Sequence, residues 1–400
     1  MKILITGVKG FIGKNLYHAL FEIKEGHDMR SDHCICGFLE DIHIFGYSKE
    51  MGKEKLEEYC KDCDFIFHFA GVNRPLDKDD FQKENIGFTI QLLDILNSYK
   101  NNCPIVFSSS AQVSLEGRYS DSLYGKSKRK CEDILFDENK KNGRKIYIYR
   151  FPNVFGKWCK PNYNSVVATF SYNISHTLPI RIDNPKTELN LVYIDDVVDE
   201  MISLISNMYE REDISSKIYK IKKEYHCTLE KLVDLLSYFY KNIQSKEIPE
   251  LHNGFEKALY STFLSYLPER LLKFNLITKK DKRGSFTEVF STKNSGQISV
   301  NIIKPGMTKG QHWHNSKNEK FVVVSGNGII RMKPVETFDI NDNISVIEYV
   351  VSGADMQIVT MIPGYTHSIT NLSKEEDMVV LIWANEVFDK NKPDTFYKPV

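Results

Sequence analysis

Two separate groups of residues in this sequence have types and spacings that could do chemistry. The first is a turn of three glycines spaced three residues apart, directly after the apolar run Lys2–Thr6: Gly7, Gly10 and Gly13. The second is a set of three histidines and one glutamate in the last quarter of the chain: His312, His314, Glu319 and His367. A glycine turn between a strand and a helix is typical of dinucleotide binding, whereas imidazole and carboxylate groups are typical metal ligands.

The glycine turn is predicted to bind the pyrophosphate of a dinucleotide. Its first glycine permits a tight turn, its second lets the phosphates approach the backbone, and its third lets the following helix pack closely. The helix N-terminus then presents N–H groups and the positive end of its dipole to the phosphates. The predicted cofactor contacts in these segments are Gly7, Gly10, Phe11, Ile12 and Gly13, together with Ala70 and Gly71 at the end of a later apolar run.

The residues after the second predicted strand, Ile42–Tyr47, indicate which dinucleotide is bound. An acidic side chain at this position binds the ribose 2′-hydroxyl of NADH, whereas cations and hydroxyls accept the 2′-phosphate of NADPH. Ser48 and Lys49 occupy the position, and the first acid is Glu50. We therefore predict that NADPH is the cofactor and that Ser48 and Lys49 contact it.

Tyr124 and Lys128 lie on one face of a predicted helix because they are four residues apart. The lysine ammonium can lower the pKa of the phenol and bind the cofactor ribose, which makes Tyr124 a usable proton donor at neutral pH. The interpretation of this pair as catalytic is strengthened by Ser108, Ser109 and Ser110, which end a predicted strand fourteen residues upstream of Tyr124. This combination predicts hydride transfer to or from a carbonyl group.

The histidines and the glutamate predict a metal centre in a β-rich region. His312 and His314 share one face of a strand because side chains alternate with period two. Glu319 follows five residues later, and His367 arrives from a later strand within Pro363-Gly364-x-x-His367. Three imidazoles and one carboxylate with space for water suit Zn²⁺, Fe²⁺, Mn²⁺ or Ni²⁺.

The elements around these residues predict two domains of different class. Apolar strands alternate with amphipathic helices in the first half, which indicates a doubly wound parallel sheet of the Rossmann type. Short alternating strands dominate after Arg283, which indicates an antiparallel barrel or sandwich. We predict a nucleotide-binding domain over residues 1–248 and a metal-binding barrel over residues 249–400.

Composition excludes some function classes. The 400 residues carry 53 basic and 53 acidic side chains, which argues against a dedicated nucleic-acid or membrane-surface binder. We expect no signal peptide and no transmembrane run. Cys34-x-Cys36 and Cys60-x2-Cys63 suggest a zinc site as an alternative, but their framing favours reduced structural thiols and a cytoplasmic protein.

The N-terminal motifs resemble those of the extended short-chain dehydrogenase/reductase family, over roughly residues 1–245. The resemblance includes Asn85, Arg150-x-x-Asn153 and Tyr193-Ile194-Asp195-Asp196. It implies the catalytic set Ser110, Tyr124, Lys128 and Asn85, in which Ser110 orients the substrate carbonyl, Tyr124 protonates it, Lys128 tunes Tyr124 and Asn85 supports the proton path. Leu189-Asn190 stands where nucleotide-sugar enzymes commonly have an Arg-Asp pair, so Arg181 or Lys186 becomes the candidate for the diphosphate contact.

The C-terminal motifs resemble two kinds of cupin. The full histidine and glutamate pattern is that of the metal-binding cupins, whereas Asp281-x-Arg283-Gly284-x-Phe286-x-Glu288 is similar to the deoxysugar 3,5-epimerases, which act on nucleotide 4-keto-6-deoxyhexoses without a metal. In those epimerases the histidine that matches His312 is a general base. His312 thus has two competing roles, and the additional His314 and Glu319 favour that of a ligand.

The whole chain is identified as a member of the bacterial capsular-polysaccharide CapF family, on Phe155–Ser165 and Leu259–Pro268 in particular. The resemblance implies a homodimer with one Zn²⁺ per chain. It also implies C3 epimerisation of a UDP-linked 2-acetamido-4-keto-6-deoxyhexose in the cupin and NADPH-dependent reduction at C4, giving UDP-N-acetyl-6-deoxy-L-talosamine, a precursor of N-acetyl-L-fucosamine. Two alternatives remain: an NADPH-dependent nucleotide-sugar reductase whose cupin serves only dimerisation, and a cupin that binds sugar without turnover.

Overall fold

The chain divides into two compact units. The computed structural model describes residues 1–27, 42–75, 77–207, 217–335, 345–389 and 391–400. Unit 1 contains Met1–Ser237 and Asn253–Leu267, and unit 2 contains Tyr238–His252 and Pro268–Val400. Residues 253–267 thus belong to unit 1 although they follow the predicted boundary at residue 248, and that boundary stays a prediction. Cys34 and Cys36 lie outside the described residues, and Cys60 and Cys63 are buried free thiols.

Unit 1 is built on a six-stranded parallel sheet. Its strands are β1 (Lys2–Thr6), β2 (His43–Tyr47), β3 (Phe65–His68), β4 (Ile105–Ser110), β5 (Ile146–Phe151) and β8 (Lys217–Tyr219). Their order across the sheet is β2-β1-β3-β4-β5-β8. A small second sheet contains β6 (Asn153–Phe155), β7 (Glu188–Tyr193) and β9 (Tyr225–Thr228). The described helices of this region are α1 (Phe11–Lys24), α2 (Gly52–Asp62), α3 (Phe88–Ser98), α4 (Leu123–Asn142), α5 (Val166–Ser175), α6 (Ile194–Asn207), α7 (Leu229–Ser245) and α8 (Gly254–Leu264).

Helices cover both faces of the parallel sheet because successive strand residues point to opposite faces. Ile3 and Ile5 pack in one apolar cluster with Leu16 of α1 and Met201 of α6. Leu4, between them, packs in a second cluster with residues of α2, α3 and α4. The strands therefore read as continuous apolar runs, as buried parallel strands do.

The strand order places a ligand crevice beside β1. The chain leaves β1 for β2 on one side and then crosses to β3 on the other, so the connections diverge between β1 and β3. Ligands of open α/β sheets bind at the carboxyl ends of the strands at such a switch point. The glycine turn follows β1 at this end, and residues 69–71 follow β3 there.

Unit 2 consists largely of antiparallel strands in two sheets. The strands are β10 (Thr278–Asp281), β11 (Gly284–Thr292), β12 (Gly296–Ile303), β13 (Thr308–Trp313), β14 (Glu319–Ser325), β15 (Asn327–Pro334), β16 (Ile347–Ser352), β17 (Ile358–Met361), β18 (Tyr365–Asn371), β19 (Met378–Ala384) and β20 (Phe396–Tyr397). The first sheet has the strand order β10-β11-β12-β19-β14-β17, and the second has the order β16-β15-β18-β13-β20. One apolar core contains residues of both sheets, among them Phe321 and Val380 from the first and Ile330 and Ile369 from the second.

The predicted fold class is confirmed: a parallel doubly wound sheet with helices on both faces, followed by an all-β unit. The apolar run Lys2–Thr6 coincides with β1, and the predicted strand Ile42–Tyr47 begins one residue before β2. Two local features were not predicted. Residues Phe81–Gly87 form a π-helical turn before α3, and a bulge at Gln311, whose φ is 63°, interrupts β13. Within the described residues, no helix is long and apolar enough to cross a membrane.

Replacement of Gly13 by alanine should destabilise unit 1. A Cβ atom at Gly13 would lie 2.4 Å from the carbonyl oxygen of Gly7, which is backbone and cannot move aside. We expect a loss of about 1–3 kcal/mol, the usual effect of forcing atoms into a packed region. The matched control is Gly254→Ala at the start of α8, where the nearest atom is 4.0 Å away. Denaturant unfolding of both variants measures the difference, and equal stabilities would contradict the steric argument.

Candidate functional site

The glycine turn leaves the N-terminus of α1 available to a ligand. Gly7 has a φ of 73°, and a Cβ atom there would lie 2.7 Å from the amide nitrogen of Ala70, so only glycine lets the turn approach the end of β3. Gly10 precedes the helix in an extended conformation and provides no side-chain cap. The first turn of α1 can therefore offer its amides and its dipole to an anion.

A cavity of about 420 Å³ extends from this turn to the Tyr124–Lys128 pair. Nine of the predicted site residues line it: Gly7, Gly10, Phe11, Ile12, Gly13, Gly71, Ser110, Tyr124 and Lys128. The other predicted residues surround it. Ser48 is buried before a short 3₁₀ turn, and Lys49 is exposed with its ammonium 3.4 Å from Glu84. Ala70 adjoins Gly7, and Asn85 lies next to Gly71.

Asn85 joins the end of β3 to α4. Its side-chain oxygen accepts a hydrogen bond from the Val72 amide at 2.7 Å, and its nitrogen donates to the Val72 carbonyl and to Ser127 Oγ at 3.1 and 2.9 Å. A Cβ atom at Gly71 would lie 2.9 Å from Asn85 Oδ1 and 3.3 Å from Lys128 Nζ. The absence of a side chain at Gly71 thus lets Asn85 and Lys128 approach the cavity wall together.

A buried chain of hydrogen bonds fixes the turn that carries Asn85. His68 Nδ1 lies 2.9 Å from Thr6 Oγ1, and its Nε2 lies 3.0 Å from Thr89 Oγ1. The Thr89 hydroxyl donates to the Asn85 carbonyl at 2.8 Å, so Nε2 must donate to Thr89 and Nδ1 must accept from Thr6. Burial, aided by the nearby Lys128 charge, lowers the pKa of His68 to about 3. The imidazole is therefore neutral, with one tautomer.

Burial has the largest effect on the pKa values of both Tyr124 and Lys128. It raises the pKa of Tyr124 above its ordinary value, with smaller contributions from Tyr163 and Cys131. Lys128 is itself buried, which lowers its pKa to about 8, and its ammonium lies 6.0 Å from the centre of the Tyr124 ring. Tyr124 is consequently protonated at neutral pH, as a proton donor must be.

The serines at the end of β4 have different partners. Ser109 donates to Glu132 at 2.5 Å, and Glu132 also receives two hydrogen bonds from Arg150, at 2.9 and 2.6 Å. Ser110 Oγ accepts from the Gln112 amide at 3.2 Å, which leaves its proton to be donated into the cavity that it lines. Only Ser110 of the three therefore combines cavity exposure with an uncommitted O–H. Glu132 was missed from the sequence because a single helical glutamate gives no signal.

The loop between β6 and α5 forms another wall of the cavity, and sequence analysis assigned it no role. Trp158 stacks on His18 of α1, with ring centres 5.3 Å apart, and Tyr266 donates a 2.5 Å hydrogen bond to the Cys159 carbonyl. Between these anchors the loop presents Lys160 and Tyr163 to the cavity. Arg181 and Lys186, the predicted diphosphate contacts, are not among the residues that line it, and Arg181 is exposed and paired with Asp183.

Unit 2 brings its four predicted ligand residues into one cluster. Their candidate ligand atoms all lie within 4.8 Å of one another, and this is the one such cluster found in the part of the chain that the structure describes. His312 on β13 pairs across the sheet with His367 on β18. His314 follows the end of β13, and Glu319 begins β14. The cluster thus depends on three strands and one loop.

The electrostatics of this cluster suit a cation. His314 Nε2 and both ring nitrogens of His367 are buried and have no hydrogen-bond partner, although Glu319 Oε2 lies 3.6 and 3.4 Å from the two Nε2 atoms. Burial by itself would raise the pKa of Glu319, but His314, His367 and the Lys317 ammonium hold it well below its ordinary value. Burial also lowers the pKa of His312 to about 4. Three imidazoles and a carboxylate, with buried ring nitrogens that have no hydrogen-bond partner, fit a divalent metal.

The cluster opens into a cavity of about 540 Å³ inside unit 2. His312 and Glu319 line it, together with the charged residues Arg283, Glu288 and Lys309. Lys309 Nζ donates to Asn301 Oδ1 and to the carbonyls of Ser285 and Ile302, at 2.6, 2.9 and 3.1 Å. All three of its donors are therefore occupied, so its contribution to the cavity is a fixed positive charge.

Comparison with known proteins agrees with this geometry. The model of the NAD dependent epimerase/dehydratase family matches residues 3–221, and that of the polysaccharide biosynthesis C-terminal domain matches residues 279–396. The crystal structure of the capsular polysaccharide assembling protein CapF from Staphylococcus aureus is 41% identical, covers 100% of both chains and superposes with a TM-score of 0.83. The chain belongs to the CapF family of NAD dependent epimerases and dehydratases.

Two further relatives define how far the likeness extends. Over 396 residues the chain is 37% identical to the UDP-2-acetamido-2,6-β-L-arabino-hexul-4-ose reductase of Pseudomonas aeruginosa, which covers 99% of this chain and 98% of that protein. The UDP-N-acetylglucosamine 4-epimerase of Bacillus cereus is 20% identical, with a TM-score of 0.51 over 69% of this chain and 98% of that one, and shows a shared fold alone. The family resemblance inferred from the sequence is confirmed.

Replacement of His68 by phenylalanine should destabilise unit 1 and disturb its cavity. The substitution keeps an aromatic ring but leaves the buried hydroxyls of Thr6 and Thr89 without this partner. Each lost hydrogen bond should lower the free energy of unfolding by about 1–3 kcal/mol. His68→Gln, which keeps one donor and one acceptor, should recover part of the loss. The control is His43→Phe at an exposed position on β2. Thermal unfolding with and without nicotinamide dinucleotide measures the effect, and a His68→Phe protein as stable as wild type would contradict the hydrogen-bond chain.

Proposed function

We propose that this protein is a bifunctional nucleotide-sugar enzyme of capsular polysaccharide synthesis. Unit 2 epimerises C3 of a UDP-linked 2-acetamido-4-keto-6-deoxyhexose, and unit 1 then reduces C4 with NADPH to give UDP-N-acetyl-6-deoxy-L-talosamine. The observation that carries the proposal is that each unit contains its own cavity with its own reactive groups. The full-length similarity to a UDP-hexulose reductase supports the substrate class.

The chemistry of unit 2 begins from the acidity of a carbon next to a ketone. Removal of the C3 proton becomes feasible because the C4 carbonyl delocalises the charge, and a bound Zn²⁺ would supply electrostatic stabilisation of that charge. His312, His314, Glu319 and His367 are the residues that would hold one zinc ion per chain. Lys309 contributes a fixed positive charge to the same cavity, which favours an anionic substrate.

The chemistry of unit 1 is a carbonyl reduction. NADPH, when bound, supplies the hydride. Ser110 orients the C4 oxygen by donating its free O–H, and Tyr124 gives that oxygen a proton. Lys128, charged below about pH 8, binds the cofactor ribose and favours the phenolate left behind. Asn85 holds the Val72 backbone and Ser127 and so supports the path by which Tyr124 recovers its proton.

The order of the two steps follows from their chemistry. Epimerisation needs the C4 ketone, whereas reduction removes the ketone and fixes the new configuration at C3. Epimerisation must therefore come first. The candidate for the diphosphate contact, in place of Arg181 or Lys186, is Lys160. This cation lines the unit 1 cavity and forms no salt bridge with the described residues. We propose further that the enzyme is a cytoplasmic homodimer, since its proposed substrate is a nucleotide sugar and the family resemblance of the sequence implies that assembly.

Replacement of Tyr124 by phenylalanine should abolish reduction and leave epimerisation intact. The substitution removes the phenol that protonates C4, so NADPH oxidation should fall at least about 100-fold, within the range that general acids contribute. Incorporation of solvent deuterium at C3 in the absence of NADPH should stay at the wild-type rate, because that exchange takes place in unit 2. Mass spectrometry of the keto sugar and absorbance at the NADPH band measure the two steps separately.

The control for this variant is Tyr163→Phe, which removes another phenol from the same cavity. We expect its NADPH oxidation to change less than about tenfold, since Tyr163 is not paired with Lys128. Loss of reduction in Tyr163→Phe rather than in Tyr124→Phe would overturn the assignment. A wild-type protein that reduces the keto sugar but never exchanges its C3 proton would show instead a single-function reductase with a non-catalytic cupin.

Cofactor preference provides a separate prediction. Lys49 shares only an exposed ion pair with Glu84, a weak interaction that a 2′-phosphate can replace. We expect NADPH to be used at least about tenfold more efficiently than NADH, which needs about 1.4 kcal/mol of discrimination. Lys49→Ala should remove most of this preference, whereas Lys53→Ala, which alters a nearby exposed lysine paired with Glu57, should keep it. Equal use of both cofactors by the wild type, measured as kcat/KM, would show that this loop does not bind the phosphate.

A further inference from the structure

The final residues of the chain lie against the strands that carry the metal-ligand candidates. Phe396 and Tyr397 form β20, which pairs with β13 at Trp313 and His312. The Lys398 amide donates to the Gln311 carbonyl at 3.0 Å, and the Val400 amide donates to Gln311 Oε1 at 2.9 Å. β20 is therefore an edge strand of the sheet that carries His312 and His367, and the residues after it are held at the bulge next to His312.

Asp394 in this segment organises the loop between two of the ligand candidates. Its carboxylate accepts hydrogen bonds from three consecutive backbone amides, those of Asn315, Ser316 and Lys317, at 2.8, 2.8 and 2.9 Å. The Ser316 hydroxyl adds a contact at 3.1 Å. This loop runs from His314 to Glu319, so its conformation sets the distance between those two ligand groups. Three parallel N–H donors form a concave site for an anion, and Asp394 supplies that anion from within the chain.

The backbone of Asp394 acts on His314 directly. The carbonyl oxygen of Asp394 accepts a hydrogen bond from His314 Nδ1. A carbonyl can only accept, so Nδ1 carries a proton, and in the neutral tautomer Nε2 is the nitrogen with the free lone pair. That Nε2 is the buried atom without a hydrogen-bond partner that faces Glu319. Metal-binding histidines usually have their second nitrogen fixed in this way, which sets both the tautomer and the direction of the ring.

We propose that Asp394 is a positioning residue of the metal centre. Its carboxylate fixes the loop from His314 to Glu319, and its carbonyl fixes the His314 tautomer, so one residue eighty positions downstream of His314 sets the geometry of half of the ligand set. The inference rests on the metal centre of the proposed function. It adds that metal affinity depends on the C-terminal segment 391–400, whose residues contribute no ligand to the described cluster.

The test is the zinc affinity of Asp394→Asn in the full-length protein, measured by competition with a chromophoric chelator. The substitution keeps the size of the side chain and the backbone carbonyl but turns an acceptor oxygen into a donor that faces N–H groups. We expect the Kd for Zn²⁺ to rise about 10–100-fold, the usual effect of losing such an outer contact. Amide hydrogen exchange at residues 315–317 should accelerate in the same variant. The visible spectrum of the Co²⁺-substituted protein should also change, because the ligand geometry is relaxed.

Controls separate this effect from general damage. Asp355→Asn alters an exposed aspartate whose recorded partner is the neighbouring Gln357, and should leave the Kd unchanged. Ser316→Ala removes only the hydroxyl contact and should raise the Kd less than Asp394→Asn does. Asp394→Glu, which keeps the charge, should recover part of the affinity. Binding of NADPH by unit 1 should be the same in all four variants, and near-ultraviolet circular dichroism should show that unit 2 keeps its tertiary packing in each of them.

Two outcomes overturn different conclusions. If Asp394→Asn binds Zn²⁺ within about twofold of wild type, or no more weakly than Asp355→Asn, then Asp394 does not position the centre. If the wild-type protein itself binds well under one metal per chain, the proposed centre fails. His312 is then better explained as the general base of a metal-free epimerase.

Discussion

A neutral imidazole has one ring nitrogen that donates a hydrogen bond and one that can accept one, and this constraint shapes the candidate sites of both units. In unit 1, His68 has no free nitrogen: one accepts from Thr6 and the other donates to Thr89, so the residue is purely structural and holds the turn of Asn85. In unit 2, His314 has one nitrogen committed to the Asp394 carbonyl and the other unpaired. The same physical requirement thus yields a structural histidine in one unit and a ligand candidate in the other.

Close backbone approach is the second requirement of the unit 1 site. The turn after β1 must reach the end of β3, and both Gly7 and Gly71 stand where a Cβ atom would collide with neighbouring groups. These contacts bring the helix N-terminus of α1, Asn85 and Lys128 to the rim of one cavity. Burial there has two useful effects, because it keeps Tyr124 protonated and brings the pKa of Lys128 towards neutrality. A cavity that keeps the phenol protonated before reaction and places a lysine beside it is suited to proton donation.

The two cavities also differ in how their charges are supplied. Unit 1 offers backbone amides, Lys128 and Lys160 around a largely neutral wall. Unit 2 concentrates three imidazoles and Glu319 in its interior and adds the fully hydrogen-bonded Lys309. The proposed substrate, a keto sugar linked to a diphosphate, is compatible with both cavities, since each combines a positive charge with groups that can act on a carbonyl or its neighbouring carbon. This compatibility supports the proposal that the two units act in sequence on one substrate.

The sequence by itself determined the fold class, the glycine turn, the Tyr124–Lys128 pair and the four residues of the unit 2 cluster. These follow from local periodicity and short spacings, which a linear pattern records. Only the tertiary structure revealed His68, Glu132 and Asp394, because each acts through partners that are distant in sequence and has no neighbours of informative type. It also showed that Lys160 lines the unit 1 cavity. The expected effect of Lys128 on Tyr124 stays a prediction. Spacing places the two side chains on one helical face, but burial, which depends on the whole fold, decides the pKa of each.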